Sequence, residues 1–297
     1  MHAPRGSPRS AVTAERDASG PVAILAGSGD LPLLLADALA ASGRESCILA
    51  FRGFASRAVR ARADASIGLL NTKGTLTWLE RSRPACVALA GGLRRPSTAA
   101  LLDAYSGFKS RKEIGEVLAR GDDNLLRGAM RLLEDRGFRL AGLPELAPGL
   151  LASSGVYGAH SPDAGSSESI GVGMDLLGSL SPFDIGQAVV VAGRRVLAIE
   201  GPEGTDRMLA RARALRAGGW LRRAERGGVL VKTPKAGQDL RVDLPAIGPR
   251  TMTNAARAGL AGVAIASGKA IVLDREATIR EADRLGLFLF GLAETSQ

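Results

Sequence analysis

The chain has 297 residues, of which 45% are hydrophobic and only 4% aromatic, with a formal charge of +9. That is enough apolar material for one large or two ordinary globular domains, and it excludes a chain disordered throughout. The positive excess favours an anionic partner, but nucleic acid is not expected, because aromatic stacking residues are scarce and arginine is spread along the whole length.

Residues 1–20 are mostly Ala, Ser, Pro, Gly and Arg and read as a flexible tail. They lack the apolar core of a secretory signal, and no run of about 18 apolar residues follows, so a cytoplasmic location is expected. From Pro21 the chain alternates short apolar runs with helical ones. VAILAG, SCILAF, ASIGLL and ACVALAG read as strands, and Leu31–Ser42 and Gly74–Arg83 as helices. This order predicts a Rossmann-like parallel sheet with helices on its faces, over residues 21–150. Cys47 and Cys86 fall inside two of these strands without CxxC spacing and read as small buried apolar residues.

Two glycine turns follow predicted strands. Gly27-Ser28-Gly29-Asp30-Leu31-Pro32 opens a helix, and Gly91-Gly92 leads into Arg94 and Arg95. Turns at the carboxyl ends of parallel strands let a backbone approach a phosphate, so Gly27, Gly29, Gly91 and Gly92 are candidate substrate contacts. Plain tight turns explain them equally well. Pro32 stands where the dinucleotide fingerprint needs its third glycine, which argues against a nicotinamide-dependent oxidoreductase. Arg111–Arg136 then reads as two helices broken at Gly121-Asp122. Residues 151–165, rich in Ser, Gly, Ala and Pro, read as a linker to a second α/β domain at 166–297.

The second half predicts a helix near Ile170–Leu180 and a hairpin, AVVVAGRRVLAIE, turning at Gly193-Arg194. GVAIASGKAIVLD reads as a similar hairpin at Ser267-Gly268-Lys269, which suggests a faint internal repeat. Each is followed by a helix with an acidic or Thr start: Glu203-Gly204-Thr205-Asp206 before Met208–Ala217, and Asp274 before Arg275–Leu285. Arg207, Arg211, Arg216, Trp220, Arg222, Arg223 and Arg226 form a basic stretch, either a solvated helix face or a membrane-surface contact.

Gly227–Thr251, GGVLVKTPKAGQDLRVDLPAIGPRT, concentrates charge where a strand meets a loop. Val229–Val231 reads as a buried strand that runs into Lys232, Lys235, Asp239, Arg241 and Asp243. Alternation over Leu240–Leu244 predicts a second short strand with Arg241 and Asp243 on one face. Such cations and carboxylates suit a metal-bridged phosphate, and an ion-paired surface loop accounts for them as well. Only two histidines occur, His2 and His160, neither on a predicted element. Histidine general bases, Ser-His-Asp triads and histidine zinc sites are therefore improbable, and any metal should be hard and oxygen-liganded.

Four ordered motifs, AGSGDLP, IEGPEGTD, VLVKTPKAGQDLRVDLPAIGPRT and AGLAGVAIASGKAIVLDREATIREADRLGLFLFG, resemble the UDP-2,3-diacylglucosamine pyrophosphatases of lipid A biosynthesis, in their histidine-poor, Mg²⁺-dependent type. The resemblance runs from about Val22 to Gly291. It implies two domains with a ligand chamber between them, and hydrolysis of UDP-2,3-diacylglucosamine to UMP and 2,3-diacylglucosamine 1-phosphate by water attacking the phosphorus nearer the sugar. The family's catalytic carboxylate falls on Asp243, as metal ligand or orienter of the water, and its E-G-T-D falls on Glu203, Thr205 and Asp206. Glu203 and Asp206 are the further candidate ligands for Mg²⁺, with Mn²⁺ as a substitute, and which of them completes the shell stays open. Lys232, Lys235, Arg241 and Thr205 are candidate substrate contacts. Ala236 departs from the family's usual Pro. The diacyl substrate implies peripheral association with an anionic inner membrane, and a homodimer is compatible with the sequence. A non-catalytic nucleotide-sugar or lipid-binding protein is the competing reading.

Overall fold

The computed structural model describes residues 20–92, 122–183, 185–218 and 227–293, and the chain divides into two compact units, Met1–Ala141 and Gly142–Gln297. The tail, Arg94, Arg95, the first helix expected after Arg111, and Trp220, Arg222, Arg223 and Arg226 lie outside the described residues.

In the first unit β1 (Val22–Ala26), β2 (Ser46–Arg52), β3 (Ala65–Gly68) and β4 (Cys86–Ala90) form a parallel sheet in the order β3-β2-β1-β4. β1 lies between β2 and β4, with Ala26 level with both Ala50 and Ala90. All five of its residues are buried, as a central parallel strand covered on both faces requires. The connections are α1 (Leu31–Ala41), α2 (Arg57–Arg62) and α3 (Thr72–Ser82). Pro32 sits in the first turn of α1, where a missing N–H is harmless, and Leu35 and Leu39, one turn apart, are fully buried. Ser56 accepts from Val59 N at 3.2 Å and Asn71 from Gly74 N at 2.9 Å, so that side-chain caps start α2 and α3. After α4 (Asp122–Glu134) the chain returns beside β4, where Val87 N donates to Arg139 O and Ala141 N to Val87 O. Burial pushes the Cys47 thiol up to about 11, aided by the nearby Asp64 carboxylate, which leaves it inert near neutral pH.

The second unit starts with α5 (Leu143–Leu146) and holds a six-stranded mixed sheet. Its strands are β5 (Gly155–Tyr157), β6 (Ala188–Ala192), β7 (Arg195–Ile199), β8 (Val229–Lys232), β10 (Gly262–Ala266) and β12 (Phe288–Leu292), in the order β5-β12-β10-β8-β6-β7. β8, β10 and β12 run parallel, and β5 and β6 pair antiparallel to β12 and β8. Alternation along the strands separates two cores. On one face Val190, Leu230, Val263, Ile265 and Leu289 pack with residues of α7 (Thr205–Ala217), α8 (Pro249–Arg257) and α9 (Arg275–Arg284). On the other, Val189, Val191, Val229, Val231 and Ala264 pack with Ile170 and Leu177 of α6 (Ala164–Leu180).

Three local expectations change. Leu240–Leu244 is not a strand. The Asp239 carboxylate accepts from Arg241 N at 3.0 Å, and its carbonyl accepts from Val242 N and Asp243 N, which closes a turn. GVAIASGKAIVLD is not a hairpin, because β11 (Ile271–Val272) leaves β10 and pairs in parallel with β9 (Ala246–Ile247). The repeat therefore has no structural counterpart, although β6 and β7 do form the first hairpin. Residues 151–165, read as linker from their composition, contain β5, whose Tyr157 is buried, and the start of α6, where Asp163 accepts from Ser166 N at 2.7 Å.

Gly173 lets α6 approach the sheet closely: a Cβ there would lie 2.6 Å from Val231 Cγ2. Gly173→Val is expected to lose about 2 kcal/mol by overpacking, measured as a lower denaturant midpoint. An unchanged midpoint would contradict this close packing.

Candidate functional site

Lys232 is the last residue of β8, level with Ala188 at the start of β6 and Ile265 near the end of β10. It therefore sits at the carboxyl end of the parallel strands, the edge where α/β sheets present ligand-binding groups. Alternation places it on the same face as Leu230, the face covered by α7. It is only 8% exposed. Burial depresses its ammonium below the ordinary lysine value, and the negative charges of Glu200, Asp243 and Asp206, in that order, work against the depression.

A hydrogen-bonded chain surrounds this ammonium. Lys232 Nζ donates to Thr205 Oγ1 at 2.8 Å, and Thr205 in turn donates to Glu200 Oε1 at 2.5 Å. Glu200 lies just past β7 and is also 8% exposed. Its second oxygen, Oε2, accepts from Gln187 N at 2.9 Å. The Gln187 side chain donates to Asp243 Oδ2 at 3.0 Å. Asp243 is fixed from its backbone too, since Gln238 Nε2 donates to its carbonyl at 2.8 Å while Gln238 Oε1 accepts from Lys235 N. One glutamine thus ties both ends of the Lys235–Asp243 loop.

Asp206, in the first turn of α7, accepts from Asn254 Nδ2 at 2.8 Å and pairs with Arg250 at 2.7 Å, both on α8. Gly204, not Thr205 or Asp206, occupies the cap position of α7, at φ +83°. Glu203 is placed against Arg211 at 2.6 Å. Arg241 is turned to Asp239 in a forked pair, with Nη2 2.7 Å from Oδ2, so much of its charge is met inside its own loop.

The structure therefore brings Lys232, Thr205, Asp243 and Asp206 into one electrostatic neighbourhood and adds Glu200 and Gln187, which the sequence reading does not single out. A carboxylate closing the apolar run RVLAI was the available signal for Glu200. Among the described residues no group of three or more His, Cys, Asp or Glu is gathered as a metal cage. Asp243 and Asp206 nevertheless supply hard oxygen donors, which fits an ion of the Mg²⁺ kind held by one or two carboxylates together with phosphate oxygens.

In the first unit the two glycine turns meet at the ends of β1 and β4. Ser28 N donates to Gly92 O at 2.9 Å, Gly92 N to Ser28 O at 3.0 Å, and Ser28 Oγ to Gly92 O at 2.9 Å. A Cβ on Gly27 would lie 2.6 Å from Gly92 O, and Gly91 has φ +90°. These glycines are required by mutual close approach of the turns. Gly29, also at positive φ, faces open space.

A model of the LpxI N-terminal domain matches residues 21–150 and one of the LpxI C-terminal domain matches residues 153–290. The UDP-2,3-diacylglucosamine pyrophosphatase LpxI of Caulobacter vibrioides is 37% identical over 269 residues, covering 91% of this chain and 96% of that protein.

The Asp206–Arg250 pair is solvent-accessible, with side chains 45% and 80% exposed, and such pairs contribute little to stability. Asp206→Ala is expected to melt within about 1 kcal/mol of the parent. A larger loss in thermal unfolding would give Asp206 a structural role.

Proposed function

Because the chain belongs to the LpxI family, we propose that it hydrolyses the pyrophosphate of UDP-2,3-diacylglucosamine in lipid A synthesis, releasing UMP and 2,3-diacylglucosamine 1-phosphate. The observation that carries this reading is the buried Lys232 ammonium held among Glu200, Asp243 and Asp206 at the carboxyl edge of the second sheet.

Water attacks the phosphorus nearer the sugar. Its oxygen forms the new P–O bond, the bridging P–O bond breaks with its electron pair leaving on UMP, and a proton departs from the attacking water. Asp243 accepts a hydrogen bond from that water and so orients it, or binds the metal. Lys232 and Lys235 stabilise the non-bridging oxygens as charge redistributes in the transition state. Thr205, whose hydroxyl is already committed to Glu200 and Lys232, keeps the ammonium aimed. Arg241 contributes to phosphate binding once its link to Asp239 loosens. Mg²⁺, or Mn²⁺ in its place, would be held by Asp243 with Asp206 or Glu203 and would supply Lewis-acid polarisation of the phosphoryl oxygens.

Release of UMP from UDP-2,3-diacylglucosamine by the purified protein tests the reaction. With Mg²⁺ present, turnover is expected; EDTA should abolish it and added Mg²⁺ restore it. Asp243→Ala should fold and lose about 10² to 10³ in kcat. Tight binding of the substrate without UMP release would convert the protein into a nucleotide-sugar binding protein, and full activity of Asp243→Ala would remove that residue from the chemistry.

The substrate's acyl chains place it in a bilayer, while no described helix is long and apolar enough to cross one. The +9 charge and the exposed Arg207 and Arg211 of α7 favour reversible docking on the cytoplasmic face of an anionic inner membrane. Each basic residue near such a surface contributes about 1 kcal/mol. Flotation with anionic vesicles should show binding that weakens as salt rises. Binding indifferent to lipid charge would sink the idea.

A further inference from the structure

We infer that Glu200 and Gln187 are positioning residues for the hydrolysis, a single strut that sets the Lys232 ammonium and the Asp243 carboxylate in fixed relation. The inference rests on the reaction proposed above and deepens it.

Gln187 and Glu200 flank the β6–β7 hairpin and are locked there: Gly186 N donates to Glu200 O at 3.0 Å, Glu200 N to Ala188 O at 2.9 Å, and Thr233 N to Gln187 O at 3.0 Å. Gln187 is therefore held by β7 on one side and by the end of β8 on the other, and its side chain projects from a rigid base. From that base it donates to Asp243 Oδ2, which singles out one carboxylate oxygen on a residue otherwise borne by a loop. Glu200 uses its two oxygens on separate arms, Oε2 on Gln187 N and Oε1 on the Thr205 hydroxyl.

The Thr205 arm has a direction. Because the hydroxyl gives its proton to Glu200, the lone pairs of Oγ1 are left to face Lys232 Nζ. A hydroxyl free to rotate would present its proton to the ammonium in some orientations and weaken the contact. Glu200 thus determines how Thr205 meets Lys232 without itself touching a reacting atom. A glutamine at position 200 keeps the shape but has one acceptor oxygen where two are needed, so with that oxygen on Gln187 N the Thr205 arm must break or reverse, and the hydroxyl proton is no longer held away from Lys232. Outer partners of this kind typically matter by about 10- to 100-fold.

The experiment measures kcat, KM and thermal melting for Glu200→Gln, Thr205→Val, Thr205→Ser and the double variant Glu200→Gln/Thr205→Val, with UDP-2,3-diacylglucosamine and Mg²⁺. Expected is a kcat about 10- to 100-fold lower in Glu200→Gln with KM unchanged, alongside a lower melting temperature because the buried ammonium loses its leading counter-charge. The double variant should be little worse than its poorer parent, since one residue acts through the other, and Thr205→Ser should recover most of what Thr205→Val loses. Parental kcat in Glu200→Gln, multiplicative losses in the double variant, or equal losses in the Ser and Val variants would overturn the inference. Should Glu200→Gln fail to fold, the Thr205 pair and Gln187→Met carry the same test: Gln187→Met should lower kcat at constant KM, and parental kcat would overturn it. Absence of UMP release by the parent protein would refute the reaction and leave the strut to be judged from crystal structures. Displacement of Lys232 Nζ from Thr205 in Glu200→Gln then supports it, and an unmoved Nζ overturns it.

Discussion

Everything in the second unit's site depends on the burial of one positive charge. An ammonium removed from water costs several kcal/mol unless opposite charge and hydrogen bonds replace its hydration. Lys232 lies at the end of a strand whose preceding residues, Val229, Leu230 and Val231, are fully buried, and it is itself only 8% exposed. The compensation must come to it. Glu200 and Thr205 arrive from one short connection between β7 and α7, and Asp243 from the loop after β8, distant in sequence. Their convergence at one sheet edge follows from strand direction: β6 starts where β7 and β8 end.

Desolvation and charge also act on the lysine in opposite senses. Burial lowers its pKa, and the charges of Glu200, Asp243 and Asp206 work against that lowering. An ammonium so placed would act on the diphosphate of the proposed substrate through a low dielectric, where electrostatic interactions are stronger than in water. The fixed geometry also removes reorganisation from the reaction, as the hydroxyl and amide partners are set before any ligand arrives.

The first unit is largely legible in the sequence because its signals are local, short apolar strands and Pro32 opening α1, whereas the short α2 with its Ser56 cap is not read from it. The second unit is less so, for reasons that particular residues make plain. Leu240–Leu244 alternates like a strand, but Asp239 closes on the backbone of Arg241 and turns the chain. β11 follows β10 with a hairpin-like turn between them, but its partner is Ala246–Ile247, a pairing no local pattern announces. The start of α6 is written in Gly and Ser, poor helix formers, and is opened by the Asp163 cap on Ser166 N, while Gly173 further along lets the helix lie close to Val231 and Val189. In the site, Lys232, Thr205 and Asp243 stand out as charged or hydroxyl residues at strand and helix ends. Gln187 and Glu200 look like ordinary polar ends of a hairpin, and their importance lies in pairings that exist only in three dimensions.

β5 pairs antiparallel with β12 through Val156 and Phe290, joining a segment near the start of the second unit to its last strand. Chains emerge from the ribosome N-terminus first, and non-local pairings of this kind are closed late and slowly. The first unit has all its described strands available before the second begins, whereas the second cannot complete its sheet until residues 288–292 have been made. During that interval β10 presents an open edge, and Gly155–Tyr157 waits without a partner. Synthesis of this chain therefore passes through a stage in which every described strand of the first unit is present while the sheet of the second is still open at one edge.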